Sequence, residues 1–186
     1  MKNHLIWIDL EMTGIDPEKC VIIEIATIVT DENLELLAEG PDMAISHPKE
    51  ILFAMDEWSR TQHQASGLID RAKASAYNCQ KAEEKTLEFL RMHCKKGESP
   101  LCGNSVWQDR RFLVKHMPSL NEFLHYRNID VSSIKELVKR WYPSLPPFRK
   151  QKDHLASMDI KESINELKYY RENVFVQKGS ASHASP

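Results

Sequence analysis

No stretch of the 186-residue chain approaches the roughly 20 consecutive apolar residues that a membrane-spanning helix needs. The apolar run near the start, Leu5–Ile8, is too short for the core of a secretory signal. None of the four cysteines, Cys20, Cys79, Cys94 and Cys102, stands in C-x-x-C spacing, which removes the common zinc and dithiol patterns. Together these absences lead us to expect free thiols in the reducing cytoplasm. There is no excess of positive charge either: 25 Lys and Arg against 27 Asp and Glu leave a net charge of −2. A protein that tracks long nucleic acid usually carries a basic face. Any nucleic-acid substrate would therefore be short, or would meet a local basic patch. No repeat and no linker divides the chain. The expectation is one domain over residues 1–176, with a small, polar and disordered tail at 177–186. With 41% hydrophobic and 28% charged residues, composition does not point to wider disorder.

What is present begins with Leu5-Ile6-Trp7-Ile8-Asp9-Leu10-Glu11-Met12-Thr13-Gly14. The apolar opening reads as a strand buried on both faces. Residues two apart in a strand share a face, with Cα atoms roughly 6.5–7 Å apart. Asp9 and Glu11 would then place two like charges side by side near the end of a buried strand. Bare carboxylates there repel one another and are costly to desolvate. A hard divalent cation such as Mg²⁺ or Mn²⁺, which prefers oxygen ligands, resolves the conflict. The ordinary alternative is that the strand stops at Ile8 and both acids are solvated, because short motifs also match by chance.

Val21–Thr30 reads as a second strand, and Asp31-Glu32-Asn33 as a tight turn. Leu34–His47 follows as a third strand, broken near Gly40-Pro41. These three form an antiparallel meander. Ile51–Trp58 and Ser66–Ala74 read as short helices, and Asn78 as the cap of a longer one ending near Gly97. Pro100–Gly103 is a short strand, after which Ser105 would cap a helix through Asp109, Phe112, Leu113 and His116. Pro118 breaks that helix, and Leu120–Tyr126 is helical again. Asn128–Val131 is a brief strand, with Ser132 or Ser133 capping the next helix towards Trp141. Ile160, Ile164, Leu167 and Tyr170 have the spacing of a final helix of about four turns. Such an order indicates an α/β or α+β domain with a mixed sheet. Ligands in such folds gather at strand ends.

Two more acids and a histidine matter to the chemistry. Asp109 sits early in one helix and Asp159 opens the last one. His154 precedes Asp159 by five residues, too far round for the same helical face, so it belongs to the loop before the helix. Taken alone, an acid at a helix start is commonly a dipole partner. The combination of D-x-E at a buried strand end with H-x4-D entering a terminal amphipathic helix points to metal-dependent chemistry.

The chain resembles the oligoribonuclease family, in the histidine-containing branch of the DEDD exonuclease superfamily. The resemblance runs from about Leu5 to Glu172. It rests on IWIDLEMTGID, IIEIATIVTD, the ASGL of residues 65–68, CGNS with QDRRFL, HYRNIDVSSIKEL and DIKESINELKYYRE. It implies a ribonuclease H-like α/β fold, a central five-stranded mixed sheet flanked by helices. It implies 3′→5′ exonuclease activity on very short RNA, especially dinucleotides, and a homodimer. Position by position it makes Asp9, Glu11, Asp109 and Asp159 the ligands of two divalent cations, Mg²⁺ or Mn²⁺, and His154 the general base.

The same resemblance puts Trp58 and Ile15 where bases are stacked or wedged. Met12 has two readings, one beside the bases and one in the core. Ser105, Arg127, Ser132 and Ser133 fall where a 5′ phosphate is capped, and such a cap would measure length. Tyr126 matches an aromatic residue contributed across the dimer. Otherwise Tyr126 and Arg127 are surface residues of a helix end. The chain departs from the family in Met158-Asp159, where two acids are usual, and in the bulkier Val106-Trp107. Two other functions compete: a DNA-proofreading exonuclease sharing the acids, and a catalytically idle nucleic-acid-binding or scaffold protein on the same fold.

Overall fold

The computed structural model describes residues 3–149 and 156–175. His154 and the tail therefore lie outside the described residues. Five strands form one mixed sheet in the order β3-β2-β1-β4-β5. They are β1 (Leu5–Met12), β2 (Ile22–Thr30), β3 (Leu36–Ala44), β4 (Leu101–Gly103) and β5 (Asn128–Asp130). β1, β2 and β3 are the antiparallel meander, while β4 runs parallel to β1 and β5 parallel to β4.

β1 continues to Met12, so Asp9 and Glu11 stand inside the strand and the reading in which it stops at Ile8 is corrected. Every residue of β2 is buried, as its β-branched composition requires of a strand between two neighbours. β3 runs unbroken through Gly40-Pro41, contrary to the expected break. It is the edge strand, where proline need not donate to a second neighbour.

The alternation of β1 assigns its two faces. Ile6, Ile8 and Leu10 pack into one core with residues of α4 (Cys79–His93), α5 (Trp107–His116) and α6 (Pro118–Phe123). Trp7 packs on the other face with residues of α7 (Val131–Trp141) and α8 (Ala156–Asn173). By parity, Asp9 and Glu11 share the face of Trp7. They are thereby turned towards the start of α8, which carries Asp159 in its first turn. The indole of Trp7 donates to Thr30 Oγ1 at 3.0 Å, so its burial leaves no polar atom unpaired.

Several helix boundaries differ from expectation. The segment expected as one helix to Trp58 divides into α1 (Lys49–Phe53) and α2 (Glu57–Ala65), because Asp56 accepts the Ser59 N–H and starts a new helix. Pro118 does not only end α5; it is the first residue of α6, where a missing N–H costs nothing. That helix ends at Phe123, which leaves Tyr126 beyond it. α3 (Leu68–Ala74) matches its expected place. α8 spans 18 residues, about five turns rather than four.

Candidate active site

Asp9 and Glu11 from β1 and Asp159 from α8 each bring one carboxylate oxygen to a common point, all within 4.8 Å of one another. All three are partly buried. Asp109 approaches from the other side of the strand. β1 pairs with β4 at Ile6 and Trp7, so the Leu10 N–H on that edge lies past the end of β4. Asp109 Oδ1 accepts it at 3.1 Å, and Asp109 is 6% exposed. Asp109 thus borders the cluster while one of its oxygens bonds the strand.

The electrostatics are those of a site built for positive charge. Burial, then repulsion from Asp159, Glu24 and Asp109, pushes the Glu11 carboxyl up to about 8, with Arg71 pulling it down only in part. Burial also raises Asp109 well above the usual carboxylate range, against the pull of the Leu10 N–H. An all-oxygen donor set whose members cannot ionise together fits hard divalent cations.

Two neighbours of Glu11 escaped the sequence reading. Glu24 is its cross-strand partner and is fully buried. Arg71 Nη1 of α3 lies 2.5 Å from Glu24 Oε1, and the N–H of Ala156 donates to Oε2 at 3.5 Å. The signal was available: Glu24 is the one charge in the apolar run Val21–Val29. The second neighbour is His63 of α2, 4% exposed. Its Nε2 lies 2.8 Å from the Met12 carbonyl oxygen and therefore carries the hydrogen. Its Nδ1 faces Glu11 Oε2 at 3.7 Å. A histidine amid polar residues on a short helix gives no comparable sequence signal.

The residues expected to hold bases are exposed, Ile15 by 80% and Trp58 by 70%. Gly14 explains how their segments approach: a Cβ there would lie 2.7 Å from Cys20 Sγ and 3.3 Å from Asp56 Oδ2. Asp56 starts the helix that bears Trp58, and Gly14 precedes Ile15. Gln108 Nε2, adjacent to Asp109 on α5, donates to the Ile15 carbonyl at 2.5 Å and ties that loop to the helix. Met12 is partly buried and packs against the core of Ile6, Ile8 and Leu10.

The residues expected to hold a phosphate fall into two groups. Ser105 does not cap α5, which has no side-chain cap. Instead Ser105 adopts φ +52° and donates its N–H to Asp130 Oδ1 and its hydroxyl to Ser132 Oγ at 3.1 Å. The cap of α7 is Asp130, which accepts the Ser132 N–H, so Ser132 and Ser133 lie within the helix. Ser133 is exposed on the same turn. Arg127 lies on the segment before β5, its guanidinium carbon 5.3 Å from the centre of the Tyr126 ring, and Tyr126 is 72% exposed. A separate cavity of about 350 Å³ under α1 to α3, lined by Lys49, Phe53, Arg60 and Lys73 among others, contains none of these residues.

Comparison with known proteins gives the family and the fold. A family profile described as Exonuclease, of the RNase T type, matches residues 6–167. The oligoribonuclease of Dichelobacter nodosus is 57% identical over 175 residues, covering 94% of this chain and 97% of its own length. That of Vibrio parahaemolyticus is 57% identical over 174 residues, covering 93% and 96%. Among solved structures, exonuclease I from Methylocaldum szegediense superposes with a TM-score of 0.70 at 16% identity, over 92% of this chain and 41% of that one. A metal-free complex of E. coli exonuclease I with single-stranded DNA gives 0.68 at 14% identity, over 93% and 40%. This chain thus spans about two fifths of those exonuclease I chains, and at such low identity the likeness establishes the fold, which is ribonuclease H-like. The profile across residues 6–167 and relatives 57% identical over nearly their whole length show that the chain belongs to the oligoribonuclease family of exonucleases.

Proposed function

We propose that the chain is a 3′→5′ exoribonuclease that degrades very short RNA, dinucleotides above all, to mononucleotides, as a homodimer in the cytoplasm. The observation that carries this reading is the convergence of Asp9, Glu11 and Asp159 within 4.8 Å, with Asp109 alongside. These acids are the holders of two divalent cations, Mg²⁺ or Mn²⁺. When bound, such ions supply a hydroxide at neutral pH and stabilise the leaving 3′-oxygen. His154 takes the proton of the attacking water as a neutral base. No helix among the described residues is long and apolar enough to cross a membrane.

The rest of the site holds the substrate. Trp58 offers a free aromatic face to any base, and Ile15 wedges beside it without reading sequence. Their exposure supports this, since large apolar side chains in water gain by covering a base. Ser105, Ser132, Ser133 and Arg127 take the 5′ phosphate, so that a third nucleotide has nowhere to go. Arg127 suits a terminal phosphate because its planar fork makes paired, charge-assisted bonds. Tyr126 of the second protomer closes over the bases, and its exposure in the single chain fits that role.

Removal of Arg127 tests the phosphate grip. Arg127→Ala should weaken dinucleotide binding about 10- to 100-fold, the scale of a lost hydrogen bond to a charged group. Five-nucleotide RNA should lose much less. Tyr126→Ala should lower activity even where sedimentation still shows a dimer. Equal losses at all lengths for Arg127→Ala, or a fully active wild-type monomer, would refute this arrangement.

A further inference from the structure

Behind the two serines lies a polar network, buried at its α8 end, that the chemistry above does not use. The Ser105 hydroxyl donates to Ser132 Oγ, and the Ser132 hydroxyl donates to Asn104 Oδ1 at 3.1 Å. Asn104 Nδ2 then donates to Ser163 Oγ at 2.7 Å and to Glu166 Oε2 at 3.3 Å. The Ser163 hydroxyl in turn donates to the Asp159 carbonyl at 2.8 Å. Ser163 and Glu166 lie on α8, 3% and 0% exposed. Lys135 of α7 lies 3.0 Å from Glu166 Oε1, and the Tyr170 hydroxyl donates to the same oxygen at 2.9 Å.

The chain of donors runs one way, from Ser105 to the backbone of Asp159, and each hydroxyl uses its single hydrogen once. Glu166 fixes that direction. A carboxylate only accepts, so Asn104 must present its amine to α8 and its carbonyl to Ser132. The opposite orientation would set an amide oxygen against a buried carboxylate. Asn104 therefore joins the serines at one end of the site to the helix that carries Asp159 at the other. Ser105 is held at φ +52°, a conformation that a non-glycine residue keeps only where its surroundings enforce it.

We propose that Asn104 is a positioning residue that sets the distance between the 5′-phosphate grip and the acidic cluster, and so makes two nucleotides the preferred length. The proposal rests on the reading of Ser105, Ser132 and Arg127 as that grip. A phosphate that takes the hydrogen of Ser132 removes it from Asn104 Oδ1, so occupation of the grip is felt along the network as far as α8. Longer RNA does not seat a phosphate there and gains nothing from the fixed spacing.

The test is the ratio of kcat/KM for two-nucleotide over five-nucleotide RNA. Asn104→Asp keeps the shape and the Oδ1 acceptor but replaces the amine with a carboxylate facing Glu166. It should lower the ratio about tenfold or more, the scale of a lost bond to a charged group. Ser163→Ala, a smaller change, should lower it about threefold and decides the matter if Asn104→Asp does not fold. With Arg127→Ala in the background, neither change should lower the ratio further, because the grip whose distance they set is gone. If Arg127→Ala lowers the ratio but the Asn104 and Ser163 variants lose activity equally at every length, or lose only melting temperature, the inference is overturned while the grip stands. If Arg127→Ala leaves the ratio unchanged, the grip is refuted and the inference with it.

Discussion

Glu11→Gln should abolish turnover, by on the order of 10³-fold or more, and should make the metal-free protein more stable. The first effect follows from the proposed role of Glu11 as a charged ligand at the point where charge is stabilised in the transition state. The second follows from the crowding of acids on the sheet. In the folded chain the Glu11 carboxyl is pushed up from an ordinary 4.5 to about 8, chiefly by burial and then by Asp159, Glu24 and Asp109. A folded pKa raised above the unfolded one means that the folded state holds the proton longer. The metal-free wild type is therefore undisturbed by this group below pH 4.5 and loses stability as pH rises from there to about 8. Burial raises Asp109 in the same direction. Glu11→Gln removes part of that fall.

A divalent ion acts oppositely. At about 100 times its Kd it adds about 2.7 kcal/mol per site. For a chain of this size that is roughly 5–10 °C in Tm. The increment should be larger at pH 8 than at pH 5, because at low pH the ion must displace protons. Thermal melts of wild type and Glu11→Gln, with EDTA and with Mn²⁺, at both pH values, check all of this. A variant whose Tm still rises with Mn²⁺ as in the wild type would take Glu11 out of the metal site. Asp9→Asn, Asp109→Asn and Asp159→Asn should each lose turnover likewise.

His154→Ala should lower kcat by about 10²–10⁴-fold and leave dinucleotide affinity within about threefold. A general base acts in the transition state, so its loss appears in kcat rather than in binding. In the wild type, kcat should fall as pH drops far enough to protonate the base. In the variant that limb should vanish. Single-turnover rates and equilibrium binding, measured separately, decide it. Weakened binding with full turnover would give His154 a different task.

The contrast between these residues shows what can be read from the chain itself. Asp9 and Glu11 were legible because strand parity is local: two acids after an apolar run must share a face. That the face meets α8 depends on Trp7 packing with Ile160 and Ile164, more than 150 residues away in sequence, which no local pattern encodes. The amphipathic spacing of α8 was visible, and with it the place of Asp159 in the first turn. The helix break at Asp56 was missed although Asp56 and Ser59 carry its signal, an acid accepting an N–H three residues on. Ser132 was misplaced as a cap because Asp130, two residues earlier, does that work. Asn104 and Glu166 had no legible role: their bond spans 62 positions and has meaning only once β4 and α8 are packed together. The fold class and the paired acids of β1 follow from pattern, the place of Asp109 from the family resemblance, and the supporting polar groups from packing.

The central claim, a nuclease for very short RNA, is tested most directly by one competition. Labelled RNAs of two, five and twenty nucleotides and a twenty-nucleotide single-stranded DNA are mixed at equal concentration and incubated with the protein and Mn²⁺. The dinucleotide should disappear first, giving mononucleotides, and the twenty-nucleotide strands should outlast it. Preferential digestion of the long DNA would instead indicate a proofreading type of exonuclease, and no turnover of any strand would contradict a nuclease altogether.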